Sequence, residues 1–332
     1  MISSGTPWTI VGQGLAGTCL AWEFWKRGVP FQLIDRGQGG SSRVAAGLIN
    51  PITGKNFEPS SRIAEFLPPA LDFYAEVETQ IHAKVWHPLP VLRLADTEKE
   101  WAKMISKCAL PEVIPWLADG GTPKHADGWV GAIELCGGGR LDTRRFLDGS
   151  RDFFASRGHF EYGEVPDDAS RTIRCEGAAG LIAGKLGPHR CAKGEILTIR
   201  AADWDETHIR IGAGGWLVPI GDGCFRAGST YDWDHLDEIP TDAGKLRVTE
   251  ILHRLGGNSP FEIIAHEAGI RPIIRRSEAL IGPIDNDTWI FNGLGSKGSL
   301  YAPRMARHLA DWIVEGIEPE EWMDIRNHTR NP

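Results

Sequence analysis

The chain has 332 residues, 42% of them hydrophobic and 24% charged, a globular composition that excludes disorder, collagen-like repeats and coiled coil as its main architecture. Its formal charge of -8 argues against nucleic acid as the main partner, because binding phosphates asks for a basic surface. The length predicts two domains, and 40 glycines and 13 tryptophans are the unusual counts.

No basic region or apolar segment of export length follows Met1, and no run approaches the ~20 apolar residues of a membrane-spanning helix. The six cysteines (Cys19, Cys108, Cys136, Cys175, Cys191 and Cys224) are scattered with no CxxC pair. They read as reduced, so a cytoplasmic protein is expected. Eleven histidines show neither HExxH nor HxH spacing, and no metal site is expected.

In chain order, Trp8–Val11 is a short, partly β-branched run between Pro7 and Gly12, the pattern of a buried parallel strand. Residues 15–27 follow a helical period. Lys26 and Arg27 sit where the helix dipole favours cations, Gly28 is a natural C′ residue, and Pro30 blocks continuation. Residues 31–34 form a second strand-like run ending at Asp35. A glycine- and serine-rich loop covers 37–47, a helix is predicted over about 60–82, and a strand over Trp86–Leu94. Residues 98–135 hold short elements that the pattern does not resolve. After the break at Gly137-Gly138-Gly139, Asp142 reads as the N-cap of a helix to about Ser156. Strands are predicted at Phe160–Val165 and Arg171–Cys175, the second running into Glu176–Gly180. From 194 to 234 four strands with Asp/Gly turns form an antiparallel pattern: Glu195–Arg200, Thr207–Gly212, Trp216–Pro219 and Cys224–Tyr231. A helix at 241–255, a strand near 261–268, a strand at Trp289–Phe291 and a helix at 299–315 complete the chain.

Gly12-Gln13-Gly14-Leu15-Ala16-Gly17 matches GxGxxG. With this much glycine a match is cheap, and a second occurs at Gly293–Gly298. Context separates them. The first follows a strand, opens a helix, and finds Asp35 at the end of the next strand. Gly12 makes the tight turn, Gly14 lets backbone approach a pyrophosphate, and Gly17 lets helix and strand pack closely. The helix N-terminus offers N–H groups to phosphates. Asp35 would accept bonds from an adenosine ribose and repel a 2′-phosphate, so FAD or NAD is expected rather than NADP. The second match is a strand-loop-helix junction whose free N–H groups suit negative charge on a ligand; a plain turn reads equally well.

Several strings, in order, resemble the FAD-dependent amine and amino-acid oxidoreductases typified by D-amino-acid oxidase, glycine oxidase and sarcosine oxidase. Asp35-Arg36 and Gly40–Pro51 are similar to that family's serine/alanine/glycine segment along the pyrophosphate and the isoalloxazine ring. Gly138–Asp142 and Cys175–Gly180 resemble its returns to the cofactor. Val218-Pro219, Asp222-Gly223 and Gly228–Thr230 resemble its substrate-domain hairpin, Gly269–Pro272 with Ile281-Gly282 its "G-x-R-P…I-G", and Asn292–Gly298 the loop that closes on the flavin. The motifs are loose singly; seven in order are specific to the superfamily.

The resemblance implies an α/β fold: a Rossmann-like FAD-binding domain (1–83, 137–184 and 268–332) interleaved with an antiparallel-sheet α+β substrate domain (84–136 and 185–267). It implies cofactor contacts at Gly12, Gly14, Leu15, Ala16, Gly17, Asp35, Arg36, Ser41, Ser42, Arg43, Ala46, Gly47, Leu48, Val165, Gly177, Gly293, Gly295, Ser296, Lys297 and Gly298. Arg271 would hold a substrate carboxylate in a planar fork; an internal ion pair is the alternative, and Arg275 and Arg276 lie close by. Alternation puts Cys224, Arg226, Gly228 and Thr230 on one face. There Arg226 falls where sarcosine-oxidase-like members carry a lysine near flavin N5, so it is the second catalytic candidate. Trp216 stands where amino-acid oxidases often place a tyrosine, and Trp216 and Tyr231 are the further substrate-binding candidates. With no cysteine at the usual covalent position, non-covalent FAD is expected.

The implied reaction is oxidation of the Cα–N bond of a small amino acid or secondary amine by hydride transfer to flavin N5, giving an imine, with oxygen or another acceptor taking the electrons. The alternatives are a flavoenzyme trimming an N-substituted amine on a larger carrier such as modified tRNA, and a non-catalytic flavin-binding scaffold. A flavin-free NAD dehydrogenase would leave Ser41–Pro51 and Gly293–Gly298 without a role.

Overall fold

The computed structural model describes residues 6–165, 169–184, 189–257, 259–274 and 279–328. Arg275 and Arg276, the alternatives to Arg271, lie outside them. A six-stranded sheet runs in the order Phe160–Tyr162, Phe31–Asp35, Trp8–Val11, Thr172–Arg174, Thr288–Asn292, Leu280–Pro283. Its pairs are parallel except the last. Buried on both faces, its strands carry Ile10, Leu33, Ile173 and Ile290 at no exposure, as a sheet covered by helices requires.

Leu15–Arg27 is buried along ten of its thirteen residues, because it packs against both Thr143–Ala155 and Gly298–Glu315. An all-round apolar helix is what that position calls for. Its Gly28 adopts the left-handed conformation and donates to the Phe24 and Trp25 carbonyls, the expected C′ role. The tryptophans that composition left unexplained now have places. Trp22 and Trp25 pack on Phe153 and Phe154 between two helices, while Trp289 lies edge-on to Trp8 and Trp312 at the end of the sheet. Trp22 Nε1 donates to Ser150 Oγ at 2.9 Å, so the buried indole is satisfied.

A seven-stranded, mainly antiparallel sheet runs Glu262–Arg271, Ala192–Arg200, Cys224–Gly228, Gly215–Gly221, Ile209–Gly212, Val91–Ala95, Gly131–Leu135. Helix Asp242–Leu255 covers one face, where Leu197, Phe225, Ala227 and Leu217 meet Val248, Ile251 and Leu252. The opposite face carries Ile209, Ile211, Val218 and Val91 and turns toward the parallel sheet. The two main sheets and their helices together give the mixed α/β, two-sheet architecture anticipated from the sequence.

Several boundaries differ from the pattern. Trp86–Leu94 is not one strand: Trp86–Pro88 joins Gly139–Leu141 in a small sheet, and Val91–Ala95 joins the large one. The prolines at 88 and 90 lie at the break, where a ladder loses its donors. The unresolved stretch contains helix Glu98–Lys107, whose N-cap Thr97 accepts from Glu100 N at 3.2 Å. Gly177–Ala183 is a helix rather than a strand continuation. The Cys224 strand stops at Gly228, three residues early, and the Glu262 strand runs on to Arg271. Among the described residues no helix is long and apolar enough to cross a membrane, and no three His, Cys, Asp or Glu side chains gather as metal ligands.

Candidate active site

The C-terminal ends of the parallel strands face the free side of the antiparallel sheet across a cleft of about 1710 Å³. That exceeds the roughly 300–1,000 Å³ of an ordinary small-molecule site, leaving room for a dinucleotide and a second molecule.

One end is built by the first glycine string. Gly12 has φ +101°, and a Cβ there would stand 2.6 Å from the Cys175 carbonyl oxygen. A Cβ on Gly17 would collide with the Gly12 carbonyl oxygen. These two glycines therefore bring strand and helix together, while Gly14 leaves the helix N-terminus open, with only the Ser42 hydroxyl nearby. Leu15 N donates to Ser42 Oγ at 3.1 Å, and the first turn holds no acidic residue. Asp35 accepts from Gln13 N at 2.6 Å and Gly37 N at 2.7 Å. It thus ties the glycine turn to the second strand and keeps lone pairs for a ligand.

The second glycine string opens helix Gly298–Glu315, which also lacks a side-chain cap and first-turn acids. Buried Asn292 holds this loop: its Nδ2 donates to the Gly177 carbonyl at 2.9 Å, and its Oδ1 accepts from Gly293 N at 2.8 Å. Gly295 N donates to the Pro272 carbonyl at 2.9 Å, joining the loop to the end of the Glu262–Arg271 strand. Two uncapped helix N-termini thus face one cleft, each favouring negative charge.

Directly opposed residues on neighbouring strands share a face. The register aligns Glu267, Ile196, Gly228, Trp216, Ile211 and Arg93 in one row. Gly269 and Arg271 follow Glu267 on the same face. Gly194, opposite Gly269, has no side chain, and the Arg271 guanidinium occupies the space. Arg271 donates to the Lys193 carbonyl at 3.1 Å, Ser229 Oγ at 2.5 Å and the Thr230 carbonyl at 3.1 Å, and its guanidinium lies 4.0 Å from the Tyr231 ring centre. These partners are all neutral, and among the described residues no carboxylate pairs with Arg271. Burial disfavours its charge, with Tyr231 acting the other way; a guanidinium nonetheless stays protonated. A half-buried cation with only neutral partners is incompletely compensated, so this position favours an anion arriving from the cleft.

Arg226 is placed differently. It shares the face, as alternation predicts, but the Ala45 segment covers it. Arg226 is 7% exposed and does not line the cleft. It donates to the Ala45 carbonyl at 2.9 Å and to Glu267 Oε2 at 2.7 Å. Arg144 pairs with the other Glu267 oxygen and donates to the Arg43 carbonyl at 3.0 Å. The catalytic expectation for Arg226 is therefore corrected: its charge is spent on Glu267, and the trio grips the 43–45 backbone. We expect Glu267→Gln to weaken FAD affinity about tenfold, since the hydrogen bonds it loosens are to charged groups worth about 1.5–3 kcal/mol each when intact. Titrating apoprotein with FAD by fluorescence checks this; unchanged affinity would show that the trio does not position the loop.

The remaining expected positions line the cleft, with two exceptions: Gly17 serves packing, and Gly293 turns its N–H to Asn292. Leu15, Ala16, Arg36, Ser41, Ser42, Arg43, Ala46, Gly47, Leu48, Val165 and Gly177 all contribute to the wall. So do Gly295, Ser296, Lys297 and Gly298, and Trp216 and Tyr231 flank Arg271 and the sheet face. Sequence reasoning gave no separate role to Asn292, Glu267 or Arg144, and missed Ser229 as a partner of Arg271. Asn292 had a signal, a polar residue closing a strand just before the glycine string.

The sequence profile of the family described as FAD-dependent oxidoreductase matches residues 8–312. The chain belongs to this family. Among curated relatives, the oxidoreductase is similar to a tRNA 5-methylaminomethyl-2-thiouridine biosynthesis bifunctional protein of Marinobacter nauticus (24% identical, over 93% of this chain and 56% of that protein). It is also similar to a glycine oxidase of Pseudomonas aeruginosa, 26% identical over 93% of this chain and 95% of that one. It thus spans about half the length of the tRNA-biosynthesis relative. Its fold is that of iminodiacetate oxidase from Chelativorans sp., with a TM-score of 0.76, 19% identity, and coverage of 95% and 98% of the two chains.

The oxidoreductase uses FAD, and the cleft suits that group. Glycines clear the turn, two helix N-termini could hold phosphate and ring-edge charge, and Asp35 would accept from the ribose. Cys175 is a thiol in the wall, and burial pushes its pKa far up. It is therefore a poor nucleophile, in keeping with a flavin held without a covalent bond.

Proposed function

We propose that this oxidoreductase oxidises the Cα–N bond of a carboxylate-bearing amine, a small amino acid or secondary amine, to an imine that water then hydrolyses. FAD, when bound, supplies the hydride acceptor. The observation that carries the reading is Arg271: a desolvated fork with only neutral partners among the described residues, on the free face of the sheet. Three bonds hold the guanidinium in place, with both Nη2 hydrogens going to Ser229 and Thr230, so the Nε–H and one Nη1–H remain, on different edges, for single bonds to a carboxylate. Fixing that carboxylate orients the α-carbon, and orientation is the protein's main contribution to such a transfer. Trp216 and Ile211 form an apolar wall of the cleft. No side chain is assigned as a base, because an amine bound neutral needs none.

A second reading, an N-substituted amine carried on tRNA, is supported by the likeness to the tRNA-biosynthesis relative. The test is an anaerobic panel of glycine, sarcosine, D-alanine and L-proline added to the yellow, FAD-loaded protein. Bleaching of the oxidised flavin spectrum by at least one of them is expected. A folded, FAD-loaded protein bleached by no amine would overturn the small-amine reading and leave the tRNA-borne amine and the non-catalytic scaffold.

A further inference from the structure

The cleft has a second end that amine oxidation as proposed above does not use. Beyond Trp216 and Ile211 its mouth is lined by Lys55, Arg93, Lys99, Lys103 and Arg247, against only Asp96 and Glu100. Arg247 is paired with Glu250 and Asp96 with Arg254; counting these partners, six cations and three carboxylates leave +3 at one opening of a chain whose total is -8. A local field of that sign attracts anions regardless of the molecule's net charge.

The pairing within this group is incomplete. Arg93 reaches Glu100 at 3.3 Å and the Gly54 carbonyl at 3.2 Å, but its buried Nε has no partner. Lys103 donates only to neutral acceptors, the Lys55 carbonyl at 3.2 Å and Asn56 Oδ1 at 3.3 Å. Lys55 and Lys99 have no carboxylate partner among the described residues. A surface built for solubility alternates its signs; this one concentrates a single sign around an opening into the reaction chamber.

The register gives the scale. Arg93 and Arg271 lie on the same sheet face, five strand-to-strand steps apart, which at about 4.8 Å per step is about 24 Å between their strands. A molecule whose reacting end meets Arg271 and whose other end meets the mouth is much longer than glycine.

We propose that the mouth is a phosphate-binding subsite, and that the substrate of this site is an amine whose distal part carries phosphate. The inference rests on amine oxidation at the Arg271 end and names what the far end of the substrate must be. Phosphate is favoured over a lone carboxylate because several cations converge and several charges need matching. It could come from a small phosphorylated amine or from the backbone of an RNA carrying the amine.

The experiment uses FAD-saturated protein, so that the dinucleotide site is filled, with two probes: inorganic pyrophosphate and a short RNA stem–loop. Equilibrium dialysis is run on wild type, on the triple variant Lys55→Ala/Lys99→Ala/Lys103→Ala, and on Arg200→Ala as a distant basic control. Binding about tenfold weaker in the triple variant than in wild type and control, and fading with salt, is the expected result. Comparable affinities for the two probes assign a small phosphorylated amine; a tenfold or greater preference for RNA assigns the carrier. Equal binding of both probes by wild type and triple variant, or no binding by either protein, would overturn the proposal. Flavin bleaching by the amine panel is measured on the same proteins. Bleaching without the triple-variant effect ends the phosphate subsite and leaves amine oxidation standing; a triple-variant effect with no bleaching, by the panel or by a phosphorylated amine added to it, ends amine oxidation and leaves the phosphate subsite standing.

Discussion

Arg271→Met is expected to lower kcat/KM for carboxylate-bearing amines by about 10²–10³-fold, because removing one partner of a desolvated charge pair costs about 2–5 kcal/mol. Simple amines without a carboxylate should lose little, since their contact with the guanidinium is incidental. The comparison separates carboxylate capture from a general folding role, and methionine keeps much of the length of the side chain whose guanidinium fills the space at Gly194. Arg271→Lys should recover only part of the loss. An ammonium keeps the charge but not the planar fork, and it would not reproduce the three bonds to Lys193, Ser229 and Thr230. Rapid-mixing measurement of flavin reduction over a concentration series gives the two constants separately. Equal losses for carboxylate-bearing and carboxylate-free amines would remove Arg271 from substrate binding.

Gly17→Ala is expected to do more damage to the cofactor site than any polar substitution in it. The added carbon would run into the Gly12 carbonyl oxygen, which belongs to the backbone and cannot rotate aside. Either the helix moves off the first strand or the glycine turn opens, and overpacking of this kind costs about 1–3 kcal/mol or more. Because Gly12 is itself fixed against the Cys175 carbonyl, the shift would pass to the Thr172–Arg174 strand. Purified variant should lose most of its FAD and melt several degrees lower. Gly28→Ala is the natural control: a Cβ there meets nothing within 4 Å, although its φ of +64° is unfavourable for alanine. It should lose modest stability and keep its flavin. A Gly17→Ala protein with normal flavin content would contradict this account of the turn.

The first β-α-β unit was readable because each of its demands is local. Gly12, Gly17 and Gly28 are required by contacts or dihedrals set within one or two adjacent elements, and Asp35 by its place at a strand end. Helix Glu98–Lys107 was also readable in principle, since Thr97 and Glu100 stand at capping-box spacing.

Arg226 shows where local reasoning stops. Alternation gives the face correctly, yet a face does not say what covers it. The Ala45 segment does, through contacts nearly two hundred residues away in sequence. Glu267 was invisible for the same reason, because its function exists only in relation to Arg144 and Arg226. Arg271 needed the family resemblance to be noticed and the structure to be separated from an internal ion pair.

The hydrogen bond from Gly295 N to the Pro272 carbonyl joins the cofactor loop to the residue next to the substrate anchor. The spacing between the flavin loop and Arg271 is therefore gauged by one backbone hydrogen bond rather than by how the two sheets settle against each other. Breathing of the sheets would carry anchor and loop along together. It also divides the cleft: if Arg271 anchors the substrate as proposed, the Arg271–Gly295 end sets the reacting distance, and changes at the Trp216–Arg93 end would leave that distance in place.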